Sequence, residues 1–158
     1  MRLFNTSKSI ERLERAADWW EHTPFFKGSR APGRDGGVDC VNLVCALLET
    51  GGLRLPPLPH DYPLDFSTHQ TDSLIELFIL ENDLEKHFET VEKPDEADLQ
   101  PGDILHFQIE NGINHLGTML GNGMFIHCVQ PWGTRRTNLK AGLRYGKLVK
   151  IRIPQKSI

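Results

Sequence analysis

The chain has 158 residues, 39% of them apolar and 25% charged, with a net charge of −3. That length lets one globular domain, 1–158, bury roughly two-thirds of its unfolded surface without disulfides or metals. The acidic balance argues against a phosphate-binding surface, so no nucleic-acid partner is expected.

The N-terminus Met1–Lys8 has no sustained apolar run, and nowhere does the sequence approach the ~20 apolar residues of a bilayer span. Cytoplasmic synthesis without a signal peptide and without a membrane span is expected. Ser9 to His22 reads as an amphipathic helix, with Ile10, Leu13, Ala17 and Trp20 at helical spacing, and Thr23-Pro24 ends it. Phe25 to Val38 is a loop with four glycines and the basic residues Lys27, Arg30 and Arg34. A central helix follows from Asp39 to Thr50, burying Val41, Val44, Leu47 and Leu48, and Gly51-Gly52 stops it.

Leu53 to Thr71 is proline-rich and aperiodic, the composition of a functional or mobile loop. Ser73-Leu74-Ile75-Glu76 has capping-box spacing and predicts a helix to Asn82, followed by an acidic stretch to Leu99. The last third is strand-like. Pro101-Gly102-Asp103 marks a turn, Ile104–Ile109 alternates, and Asn114–Leu120 and Met124–Val129 flank the hairpin signal Gly121-Asn122-Gly123. Lys147–Ile153 is a fourth strand. Helices first and an antiparallel sheet second define an α+β class.

Cys40 stands where the glycine-rich loop meets the central helix. The positive end of the helix dipole there favours thiolate, the nucleophilic form. Period-2 alternation puts His115 and Gly117 on one face of their strand and His127 on the corresponding face of the next. This is the nucleophile, base and orienting group of a cysteine hydrolase: Cys40 attacks, His115 takes its proton, and His127 bonds the second nitrogen of His115. His106 lies in a neighbouring strand, but its spacing suits the relay less well; His22, His60, His69 and His87 read as loop or surface residues. Cys45, about 140° round the helix from Cys40, and Cys128, opposite in parity to His127, read as core residues.

One cysteine with two histidines is also a zinc ligand set, but no C-x-x-C or H-E-x-x-H pair accompanies it, and neither metal nor cofactor is expected. The glycines of 28–37 lack the Gly-Lys-Ser/Thr of a phosphate cradle. They suit close approach of backbone to substrate, with the Cys40 N–H as oxyanion donor. Lys27, Arg30 and Arg34 suit either a carboxylate-bearing substrate or a solvated basic loop.

Val38-Asp39-Cys40-Val41-Asn42-Leu43-Val44, then Pro101-Gly102-Asp103-Ile104, Asn114-His115-Leu116-Gly117 and Phe125-Ile126-His127 resemble, in order, the motif blocks of NlpC-type cysteine peptidases of bacterial cell walls. The twelve-residue interval between the two histidines matches as well. The resemblance implies a papain-like domain, N-terminal helices on a C-terminal antiparallel sheet, cutting peptidoglycan stem peptides next to D-glutamate and a diamino acid through a Cys40 thioester. Trp19-Trp20-Glu21-His22-Thr23-Pro24-Phe25 and Asp61-Tyr62-Pro63 resemble the phage-borne branch, which implies phage tail proteins as partners and a virion-associated setting. The alternative is a tail-assembly component that keeps the fold without hydrolysis. Asp39, Asn42, Asn114 and Gly117 are expected to line the substrate. Two positions depart from the family pattern. Val41-Asn42 replaces a small residue followed by glycine, and His22 replaces the glycine after the tryptophan helix.

Overall fold

The computed structural model describes residues 1–57, 78–109 and 113–157. The expected capping box at Ser73–Glu76, His60, His69, Asp61-Tyr62-Pro63 and most of the 53–71 loop lie outside the described residues.

Helix α1 (Ser7–Trp20) starts two residues before the reading from periodicity. Thr6 caps it, and Thr6 and Ser9 satisfy each other's backbone N–H groups in a capping box. Its buried stripe is Leu13, Ala17 and Trp20. The chain leaves the helix at Glu21, whose ψ is 139°, and His22 follows in the turn with a φ of 72°, the left-handed region. This gives a physical reason for the family's glycine at that point. A non-glycine residue is held there by the hydrogen bond from His22 N to Thr134 O, 2.8 Å.

The 25–38 loop contains two short antiparallel strands, β1 (Arg30–Ala31) and β2 (Gly37–Val38), too brief to show periodicity. Helix α2 (Cys40–Glu49) follows, with Asp39 as its cap. The sequence predicts one buried face, yet Leu43, Cys45 and Ala46 are buried along with Val41, Val44, Leu47 and Leu48. The helix is covered on more than one side, because α1 packs on it as well as the sheet.

Residues 78–81 are helical and Glu85–His87 form a 3₁₀ turn. Six antiparallel strands then build the sheet: β3 (Phe88–Glu92), β4 (Ile104–Ile109), β5 (Ile113–Met119), β6 (Met124–Val129), β7 (Gly133–Asn138) and β8 (Lys147–Pro154). Their order is β3-β8-β4-β5-β6-β7. Helix α3 (Leu139–Tyr145) lies between β7 and β8. The sequence predicts four of these strands. It misses β3, β7 and α3. Both missed strands are sheet edges of mostly polar residues, so neither shows the apolar alternation that marks a strand with one buried face. β7 is laddered to β6 along its whole length, and Arg136 adds bonds to Glu14, Asp18 and Glu21 of the α1 segment at 2.8–3.2 Å.

The sheet has two differently covered faces. Ile104, Leu116, Leu120, Ile126 and Cys128 pack with α1 and α2. Leu105, Phe107, Met119, Phe125, Ile151 and Ile153 form a second core with Leu139 of α3. The β5–β6 turn takes positive φ at Asn122 (59°) and Gly123 (72°), as a tight hairpin requires. The architecture is α+β, with the first two helices on a C-terminal antiparallel sheet.

Candidate active site

Cys40 is the first residue of α2, and the segment before it is fixed through one carboxylate. Asp39 accepts from Asn42 N at 2.8 Å, Asn42 Nδ2 at 2.8 Å and Gly28 N at 2.7 Å. It is almost fully buried. It therefore caps α2, ties the glycine loop to the helix start and sets the Cys40 backbone in one step. Gly36 and Gly37 are explained by packing: a Cβ at Gly36 would meet Ala31 O at 2.0 Å, and one at Gly37 would meet Phe26 Cβ at 2.5 Å. These glycines make room for the chain itself, rather than for substrate as the sequence suggests.

His115 and His127 meet as their parity requires. His115 Nε2 lies 2.8 Å from His127 Nδ1, and His127 Nε2 lies 2.8 Å from Thr137 Oγ1. The β5–β6 ladder pairs only Thr118 with Ile126 and Met119 with Phe125. The two histidines sit beyond that ladder. Phe125 packs against His127 with ring centroids 4.5 Å apart, and Phe107 flanks His115 at 6.5 Å. Gly117 is required here: a Cβ would meet the Phe125 ring, which packs on His127, at 2.8 Å. Among the described residues, Nδ1 of His115 takes part in no hydrogen bond, whereas both nitrogens of His127 do.

Cys40 lies against the Leu116 backbone and near Cys128, the immediate chain neighbours of His115 and His127. Its thiol is pushed up to about 12, by burial first and then by the Asp39 charge and by Cys128; the Leu116 and Val41 backbone pulls it the other way. Desolvation thus outweighs the helix dipole from which the sequence predicts a thiolate. Burial also holds His115 down to about 4, with His106 adding to the effect. His127 is held down to about 3 by burial, then by His115 and Arg135. Burial thus favours the neutral form of the thiol and of both imidazoles.

The expected substrate-lining residues have other work in this structure. Asp39 and Asn42 bond each other. Asn114 is buried on the α2 side of the sheet, its Oδ1 2.8 Å from His106 Nε2. Gly117 accommodates Phe125. Arg30 is paired with Glu49 at 2.8 Å, which removes it as a free carboxylate receptor. Cys45 and Cys128 are buried in the core, and the Cys128 thiol donates to Val38 O at 3.2 Å. Among the described residues, no group of three potential metal-binding His, Cys, Asp or Glu side chains gathers. Sequence reading misses Thr137, the third member of the hydrogen-bonded chain. Its only sequence signal is membership of β7, which the polar pattern hides.

The site thus holds a cysteine that opens a buried helix and, on the antiparallel sheet packed against that helix, a bonded histidine pair. The NlpC/P60 family pattern matches residues 22–152, and the chain belongs to that family. Among solved structures, NlpC1 from Trichomonas vaginalis superposes with a TM-score of 0.63 at 17% identity, covering 99% of this chain and 48% of that one. The NlpC/p60 domain of the peptidoglycan hydrolase SagA gives 0.53 at 15%, covering 92% and 98%. The peptidoglycan hydrolase RipB from Mycobacterium tuberculosis gives 0.55 at 19%, covering 94% and 66%. The chain thus spans about half the length of the Trichomonas protein. No curated protein matches it in sequence.

Proposed function

We propose that the protein is a cysteine peptidase of peptidoglycan stem peptides, cutting next to D-glutamate and a diamino acid. The observation that carries this reading is the His115–His127–Thr137 chain, which leaves one imidazole nitrogen unbonded and whose two histidines adjoin Leu116 and Cys128, the residues near Cys40. Family membership and the two peptidoglycan hydrolases of similar fold support it.

The tautomers follow from the roles. If Nδ1 of His115 is the base, Nε2–H must donate to His127 Nδ1, and His127 Nε2–H then donates to Thr137 Oγ1. Because burial favours the neutral thiol and imidazole, the proton leaves Cys40 Sγ for His115 Nδ1 as sulfur attacks the carbonyl carbon. The carbonyl π electrons move to oxygen, which the Cys40 backbone N–H stabilises. Collapse expels the amine, protonated by His115, and leaves a thioester. Water, deprotonated by the same ring, hydrolyses it. The Cys40 thiol and His115 share no hydrogen bond before substrate arrives. An approach of the two on binding is therefore part of this mechanism, as is common in substrate-free sites.

A phage-particle setting, with tail proteins as partners, rests on the Trp19–Phe25 resemblance. Mass spectrometry of defined muropeptides, incubated with wild type and with Cys40→Ala, tests the reading. A fragment formed only by wild type is expected and identifies the bond. Intact muropeptides with both folded proteins would reject it in favour of a non-hydrolytic tail component.

A further inference from the structure

Strand β7 carries two consecutive arginines with opposite circumstances. Arg136 is held by three carboxylates of the α1 segment. Arg135 is exposed and meets no carboxylate among the described residues; its guanidinium lies 6.0 Å from the ring centroid of Trp132. Trp132 is itself 72% exposed, a large apolar surface that the fold does not use. Register pairs Arg135 directly with His127 across β6–β7. Between them lies a cavity of about 220 Å³ whose wall includes His127, Gln130, Trp132, Arg135 and Thr137. That is smaller than the ~300–1,000 Å³ of a pocket for a whole ligand, and suits one end of a longer substrate.

An unneutralised guanidinium at the mouth of a small cavity favours an anion. Stacking on an indole holds the planar fork in place and favours a planar, two-oxygen partner. We propose that this cavity is a carboxylate subsite, in which Arg135, braced by Trp132, receives a free carboxylate of the stem peptide and anchors that end of the substrate beside His127. The inference rests on the peptidase reading and deepens it. Of the basic loop residues the sequence offers for this task, Arg30 is already bound to Glu49.

The test uses stem peptides in which each free carboxylate is converted in turn to a carboxamide. With wild type, one such conversion is expected to lower kcat/KM about tenfold. Arg135→Gln is expected to lower kcat/KM for the unmodified peptide by a similar factor, with no further loss on the sensitive amide. Arg135→Lys is expected to recover part of the loss. Equal losses for every peptide, or wild-type indifference to every conversion, would overturn the subsite.

Binding separates this idea from the peptidase reading. Titration of Cys40→Ala with the same peptides should change tryptophan fluorescence more strongly for the acid than for the amide, and Trp132→Phe should remove the signal. Arg135-dependent preference without any cleavage by wild type would overturn the peptidase and leave the subsite. Cleavage without that preference would do the reverse.

Discussion

Two histidine-centred networks cross the same sheet, one on each face, and they diverge at neighbouring residues of β5. On the α2 side, Arg152 Nη1 donates to His106 Nδ1 at 3.3 Å, and His106 Nε2 donates to Asn114 Oδ1 at 2.8 Å. On the other side, His115 joins His127 and Thr137. Both networks are buried and both use imidazoles, yet their chemistry differs. A guanidinium has no lone pair to offer, so it fixes His106 as an acceptor at Nδ1 and a donor at Nε2, with both nitrogens occupied. His115 keeps one nitrogen unbonded, and its partner His127 borders an open cavity. A buried histidine alone therefore says little about catalysis. An unoccupied nitrogen, a nearby nucleophile and access to substrate say more.

The contrast can be broken at several points. Cys40→Ala should remove turnover, a loss of roughly 10³-fold or more, with little change in the urea midpoint; His115→Ala should match it in activity assays. Retained cleavage by either variant would place the chemistry elsewhere. His127→Ala should cost roughly 10²-fold, because the base loses its orienting partner while the nucleophile remains. His106→Leu should show the opposite profile. Stripping partners from buried Asn114 and Arg152 should destabilise the fold by about 2–4 kcal/mol, while the turnover of folded protein stays within about threefold. A large fall in kcat for His106→Leu at full folding would show that the two networks are coupled.

Asp39→Ala should destabilise by about 2 kcal/mol in urea titrations, since it removes the cap of α2 and leaves three donors without their acceptor. A further effect is set by pH. Folded His115 and His127 stay neutral to about 4 and about 3, whereas the unfolded rings take up protons near 6.5. Between those limits the unfolded chain binds more protons, so stability should fall as pH drops below about 6.5, by of the order of 2 kcal/mol per ring at about pH 5. Comparing urea midpoints for wild type and His127→Gln checks this, and the variant should show the shallower slope. Unchanged slopes would mean that the rings are open to water.

Much of the candidate site was legible from short-range rules. Alternation put His115 and His127 on matching faces, and helix periodicity turned Cys45 away from Cys40. A glycine stop and the hairpin signal placed α2 and the β5–β6 turn. Composition and periodicity act locally, and those elements are stabilised by local geometry.

The rest depended on contacts between distant segments. Strand β7 is a polar sheet edge with no apolar pattern, and its Arg136 is paired with carboxylates more than a hundred residues earlier; Thr137 and Arg135 reached the site only with that strand. Asp39 looked like a substrate contact until three donors converged on it. The charge state of Cys40 is the clearest case. Its position at a helix start is written in the sequence and predicts a thiolate. Only the packed fold supplies the burial that reverses that prediction, because desolvation depends on every chain segment surrounding the sulfur.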